Sequence, residues 1–229
     1  MNDEIRQTSI LRQLVWKDVQ LHAPLLAITT IFGVLGLVLL LPKREPVSVV
    51  GGVTLLIALV VMGALLAASN ILNERKKQTL PFMMSLPISS MEYTTAKLLG
   101  SVGMYLIPWL TLAIGMVWLI GVRGVLPHGT IPVTLILFML PLVGLCGYVG
   151  LTLVGETEGW NLLANIIFNT SPGMTWYAIT RMPTLMIHLA DKKPVWNATA
   201  LIFLASEFAL IVLILAITYY LQSRKRDFV

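Results

Sequence analysis

The chain has 229 residues, of which 57% are hydrophobic and only 12% charged, about half the charge density of an ordinary soluble domain. Its mean hydropathy is +0.84 and its apolar residues fall in uninterrupted blocks, so most of it belongs in a bilayer. Secreted disulfide-rich, disordered, coiled-coil and nucleic-acid-binding classes are set aside, because the net charge of +5 is carried at the ends of apolar blocks, where membrane topology accounts for it.

Residues 1–24 pattern as an amphipathic helix lying in the membrane interface. Leu11, Leu14, Val15 and Val19 recur at helical spacing, while Arg12, Gln13, Lys17, Asp18 and Gln20 occupy the other face and Trp16 suits the headgroup level. No cleavable leader is read here: Asp3 and Glu4 precede the first apolar block and Pro42-Lys43-Arg44 follows it. That block, Leu25 to Leu41, has 17 residues without a charge, and the second, Val47 to Leu72, has 26. The polar turn Pro42-Lys43-Arg44-Glu45-Pro46 makes them a helical hairpin. A third span runs from about Leu98 to Val122 with Pro108 inside it, and a fourth from Ile131 to Val154 with Pro132 in its first turn and Pro141 near its middle. The fifth, Trp160 to about Tyr177, is interrupted at Pro172-Gly173, and an outer segment over 182–197 dips into or lies on the interface. The last span, Ala198 to Leu221, carries one acid, Glu207.

These elements predict an all-α, polytopic membrane protein: a single transmembrane domain over 1–229 with six spans. With the termini inside, the inner segments hold ten Lys and Arg and the outer segments six, which favours cytoplasmic termini. The lone Cys146 reads as a small buried hydrophobe. His22, His128 and His188 show no ligand spacing, so no metal site is predicted.

The stretch between spans two and three, residues 73–97, is the most informative. Thr79 caps a short helix that opens Leu80-Pro81 and is stopped by Pro87, and Ser89 with Glu92 forms a capping box for the helix that leads through Lys97 into the third span. A helix from about Ser90 to Val122 exceeds the bilayer thickness, so its first turns project into the cytoplasm. Phe82, Met83, Met84 and Leu86 form an apolar surface flanked by charges, which either packs back on the protein's own helix ends or docks a partner.

The string Glu74-Arg75-Lys76, Thr79-Leu80, Ser85-Leu86-Pro87-Ile88-Ser89 and Glu92-Tyr93 to Lys97 resembles the signature loop of type 2 ABC transporter permeases, the membrane subunits of ATP-driven exporters. The likeness extends to the layout: an N-terminal helix ending in Trp16-Lys17-Asp18, six spans and a basic C-terminus. Gln78, where such loops often have glycine, and Pro81 inside the short helix depart from the pattern. The resemblance implies a coupling helix that docks on a cytoplasmic ATPase dimer through Glu74, Arg75, Lys76, Thr79, Leu80, Phe82, Met83 and Leu86. It implies a second permease copy, identical or related, and a bacterial or archaeal plasma membrane location. No G-x-x-x-x-G-K-[ST] phosphate loop occurs in the chain, so ATP and Mg are expected on the partner and no cofactor on this chain.

Three polar residues within the spans are candidates for the substrate path. Glu207 lies about ten residues into the last span, where an acid faces a wet cavity or a bonding partner. Asn165 and Asn169, with Asn161, recur every four residues along one face of the fifth span, either gluing helices together or lining a path between two copies. The turn Glu156-Thr157-Glu158-Gly159 is a secondary contact for an ATPase or a solvated turn. The expected function is export of an amphiphilic peptide, drug or lipid, with no enzymatic chemistry on this chain. The alternative is a self-contained, proton-linked secondary transporter using Glu207.

Overall fold

The computed structural model describes the backbone of residues 2–69, 90–155 and 158–224 and, within these, the side chains of 16–69, 91–155 and 159–224. Regular structure among these residues is entirely helical. In chain order it comprises α1 (Asn2–Leu40), α2 (Glu45–Ala67), α3 (Ser90–Gly121), a 3-10 turn at His128–Thr130, α4 (Ile131–Val154), α5 (Glu158–Thr180), α6 (Pro183–Met186) and α7 (Ala198–Arg224). Five helices are long and apolar enough to cross a membrane: α1 from Trp16 onward, α2, α3, α4 with its preceding turn, and α7. The chain is therefore a multi-pass helical membrane protein.

Two helices run on where the sequence predicts a break. Residues 1–24 do not form a helix of their own: α1 continues from Asn2 through Pro24 to Leu40. The proline forfeits one backbone bond. Yet the buried stripe Asp18, His22, Thr29, Gly33, Gly36 and Leu40 keeps its helical interval across it, so packing holds the two halves in line. Likewise α5 passes unbroken through Pro172. The missing N–H of Pro172 would strand the Phe168 carbonyl, and the Ser171 hydroxyl donates to that carbonyl at 2.9 Å. The polar residues along α5 keep it outside the set of five apolar helices.

Helix directions follow from contacts at small residues. α1 and α2 form the expected hairpin, turned by Lys43 in the left-handed region (φ 52°). Their closest approach is at Gly36 and Gly51, where a Cβ on Gly36 would come within 2.9 Å of the Gly51 carbonyl. α1 and α3 run parallel: Asp18 meets Lys97, Gly33 meets Leu112 and Leu37 meets Gly115. α3 has 32 residues, about 48 Å at the helical rise and well beyond a hydrocarbon core of about 30 Å.

At the centre stands α4. Eighteen of its 24 residues are buried, against four of 27 in α7. α5 lies antiparallel to it, with Trp160 beside Gly155 and Phe168 over Gly144 and Gly147. α7 lies parallel, with Ala200 packed in one cluster with Val133 and Ile136 and with Thr218 against Gly150. The main core, around Leu59, Tyr105, Leu112, Phe138 and Leu145, fills the space between α2, α3 and α4. Buried aromatics satisfy their polar ends there: Tyr105 donates to the Leu59 carbonyl at 3.2 Å and Trp109 to the Phe138 carbonyl at 2.7 Å. Within the 182–197 segment, α6 places Leu185 in a second, smaller cluster with Val133, Ile136, Ile179 and Ala200. Asn197 ties the segment's end down, donating to the Thr184 carbonyl at 2.5 Å and accepting the Ala200 N–H at 2.8 Å.

Candidate functional site: a polar layer at the root of α3

The first turns of α3 carry Tyr93, Lys97 and Ser101 at intervals of four, which places them on one face. That face meets α1. Lys97 Nζ lies 2.8 Å from Asp18 Oδ2, with the two residues only 3% and 4% exposed. An ion pair this dry repays its desolvation only when its geometry is good and further bonds support it. Support is present: the Tyr93 ring centroid lies 5.9 Å from Lys97 Nζ, and buried His22 donates through Nδ1 to the Asp18 carbonyl at 2.7 Å.

On the other side of α3 a second set of bonds reaches α7. The Tyr219 hydroxyl donates to Thr95 Oγ1 at 3.2 Å, and Thr95 in turn donates to the Met91 carbonyl at 2.7 Å. One turn further along α7, Gln222 Nε2 donates to the Leu153 carbonyl near the end of α4 at 2.7 Å. The root of α3 is thus pinned to α1 on one side and to α7 on the other, with α4 held to α7 at the same level. The same contacts bring the Asp18 region of α1 and the end of α7 to one end of the bundle. Chemically the layer is an anchor: it can hold the α3 root and pass a displacement of it to two other helices.

The predicted docking residues Glu74, Arg75, Lys76, Thr79, Leu80, Phe82, Met83 and Leu86 lie outside the described residues, as does the turn at Glu156 and Thr157. Asn165 and Asn169 are described and bond each other, Asn169 Nδ2 donating to Asn165 Oδ1 at 2.8 Å. Asn169 and Phe168 close a space between α2 and α4 of about 10 Å³, room for no more than about one water. Glu207 lies elsewhere, on the buried face of α7 with Ala200, Thr218 and Gln222. It is 3% exposed, and neither carboxylate oxygen has a hydrogen-bond partner among the described residues. α4 stands between the asparagine pair and Glu207, so the structure does not gather the three path candidates into one site. Among the described residues no cluster of three or more metal-ligating side chains occurs.

Sequence patterning misses the anchor, because it assigns Asp18 to the polar face of an interfacial helix when the residue is buried against α3. A sign was nevertheless present: an acid and a lysine stand at equal depth at the starts of two parallel apolar helices. Comparison with family models, with curated proteins and with solved structures finds no match.

Proposed function

We propose that this chain is the permease subunit of an ABC exporter, which couples ATP hydrolysis on a separate cytoplasmic ATPase dimer to export of an amphiphilic peptide, drug or lipid. The observation that carries the reading is the Asp18–Lys97 pair. It joins Trp16-Lys17-Asp18 to the Lys97 end of the 73–97 loop, two stretches that both belong to the resemblance. In this mechanism, closure of the ATPase pushes the short helix around Leu80 to Leu86. α3, continuous from Ser90 to Gly121, acts as the lever. The polar layer at its root makes α1 and α7 follow, and two permease copies switch the access of the cavity between them. ATP and Mg belong to the partner, and this chain performs no covalent step. The proposed setting is a bacterial or archaeal plasma membrane crossed six times, with α5 as the additional span and both termini cytoplasmic.

The test is co-purification of the full chain with a phosphate-loop ATPase encoded beside it. Replacing Phe82 and Leu86 together by Asp is expected to abolish the complex while the chain still reaches the membrane. Retained assembly in that double variant would count against the docking surface.

Glu207 favours a second reading, a proton-linked secondary transporter, because a buried acid with no hydrogen-bond partner among the described residues fits an intramembrane ion or proton site. That reading expects proteoliposomes holding the chain alone to pass protons down a pH gradient, reported by an entrapped dye, and expects Glu207→Gln to stop the flux. A wild-type chain that passes none removes it.

A further inference from the structure

The seam between α1 and α3 is tight at its root and at the glycine contacts, and open on its outward side. Two grooves of about 490 and 270 Å³ lie along it in succession, with Val34 lining both. The only side-chain hydroxyls in the larger one, those of Thr30 and Thr111, are turned back onto their own helices, donating to the Leu26 and Ile107 carbonyls at 2.5 and 2.9 Å. The larger groove therefore presents an apolar surface. From Leu26 to Leu41 the two grooves follow α1 for about 22 Å, longer than the roughly 15 Å of hydrocarbon in one leaflet.

At the end nearest the α1–α2 turn the chemistry changes. Arg123 lines the groove beside Trp118, a residue suited to the headgroup level. The turn that follows Leu41 adds exposed Lys43 and Arg44 against one acid, Glu45. Arg123 forms no ion pair among the described residues. Successive apolar grooves ending in a guanidinium with no ion pair among the described residues and in an interfacial indole match an acyl chain joined to a phosphate. A helix from another chain fits it less well. Membrane helices approach each other over small residues, and here Gly33, Gly36 and Gly115 are already spent on contacts within the chain, while the rim is bulky Ile31, Leu35 and Ile107.

We infer that the α1–α3 seam is a binding site for an anionic phospholipid of the leaflet on the α1–α2 turn side, its acyl chain in the groove and its phosphate on Arg123. The inference stands apart from the exporter reading, since it rests on residues outside both the 73–97 loop and the polar layer.

The test is native mass spectrometry of the full chain released from detergent after incubation with phosphatidylglycerol or with phosphatidylcholine of identical acyl chains. The wild type is expected to retain phosphatidylglycerol in preference. Arg123→Gln should lower that retention by about tenfold, to the phosphatidylcholine level, as loss of one charge-assisted contact implies. Thr111→Trp, which fills the groove from α3, should lower retention of both lipids. Arg123 and Thr111 are exposed, so both variants should keep the wild-type thermal midpoint. Lipid retention unchanged in both variants overturns the site. A shift from dimer to monomer in Thr111→Trp with lipid adducts intact also overturns it, assigning the groove to a second copy of the chain.

Discussion

Asp18 and Glu207 are both acids buried in an apolar bundle, 4% and 3% exposed, and their surroundings are opposite. Asp18 meets Lys97 at 2.8 Å, and its own backbone carbonyl accepts a bond from His22. Both oxygens of Glu207 lack a partner among the described residues. Removing a carboxylate from water costs several kcal/mol, and only at Asp18 does the bundle offset that cost. The position of Asp18 is explained by the fold: it fixes where the root of α3 sits. No hydrogen bond among the described residues accounts for Glu207, which is why the proposals above give it a role outside the packing of the bundle.

The contrast can be broken most sharply at the ion pair. Asp18→Asn or Lys97→Met alone leaves one uncompensated buried charge or its unmatched partner, and each is expected to destabilise the chain by about 3–5 kcal/mol, read as a lowered thermal midpoint in detergent. Losses below about 1 kcal/mol for both would mean that water reaches the pair. The double variant Asp18→Leu with Lys97→Met should recover most of that stability, because neither charge of the pair is left buried, while the exporter proposed above would stay impaired in transport through loss of the bond between α1 and α3. Full transport in the double variant would reduce the pair to a packing element. The smallest effect is expected at the other acid: Glu207→Met keeps the volume and removes a polar group that bonds none of the described residues, so the midpoint should stay within about 1 kcal/mol of wild type or rise. A large drop would show that Glu207 has a structural partner after all, and the two acids would then be alike.

Parts of this were legible in the chain. The starts of α2, α4 and α7, to within two residues, the hairpin turn at Lys43 and an overlong third spanning helix were all predicted, because a bilayer allows few alternatives to a long apolar helix and polar turns mark its limits. Ser89 of the expected capping box lies outside the described residues, and Glu92 stands in the first described turn of α3. The proline at 172 misled, and the amphipathic patterning of residues 1–24 suggested a separate element where α1 runs on through Pro24. A proline cancels one backbone bond, but whether the helix then breaks depends on what else supports it. At Pro172 the Ser171 hydroxyl takes the freed carbonyl, and at Pro24 a continuous buried stripe holds the line.

Composition and block pattern thus determined by themselves that this is a helical membrane protein, roughly where its helices begin and end, and which short segment resembles a coupling loop. Local hydrophobicity and turn chemistry act within a few residues, and a sequence displays them directly. Only the tertiary structure decided that α4 is the central helix, that α1 runs parallel to α3, and that Asp18 is matched by Lys97 while Glu207 has no hydrogen-bond partner among the described residues. Those outcomes depend on which small residues let two helices approach and on partners 79 residues apart, and neither periodicity nor composition carries a contact over that distance.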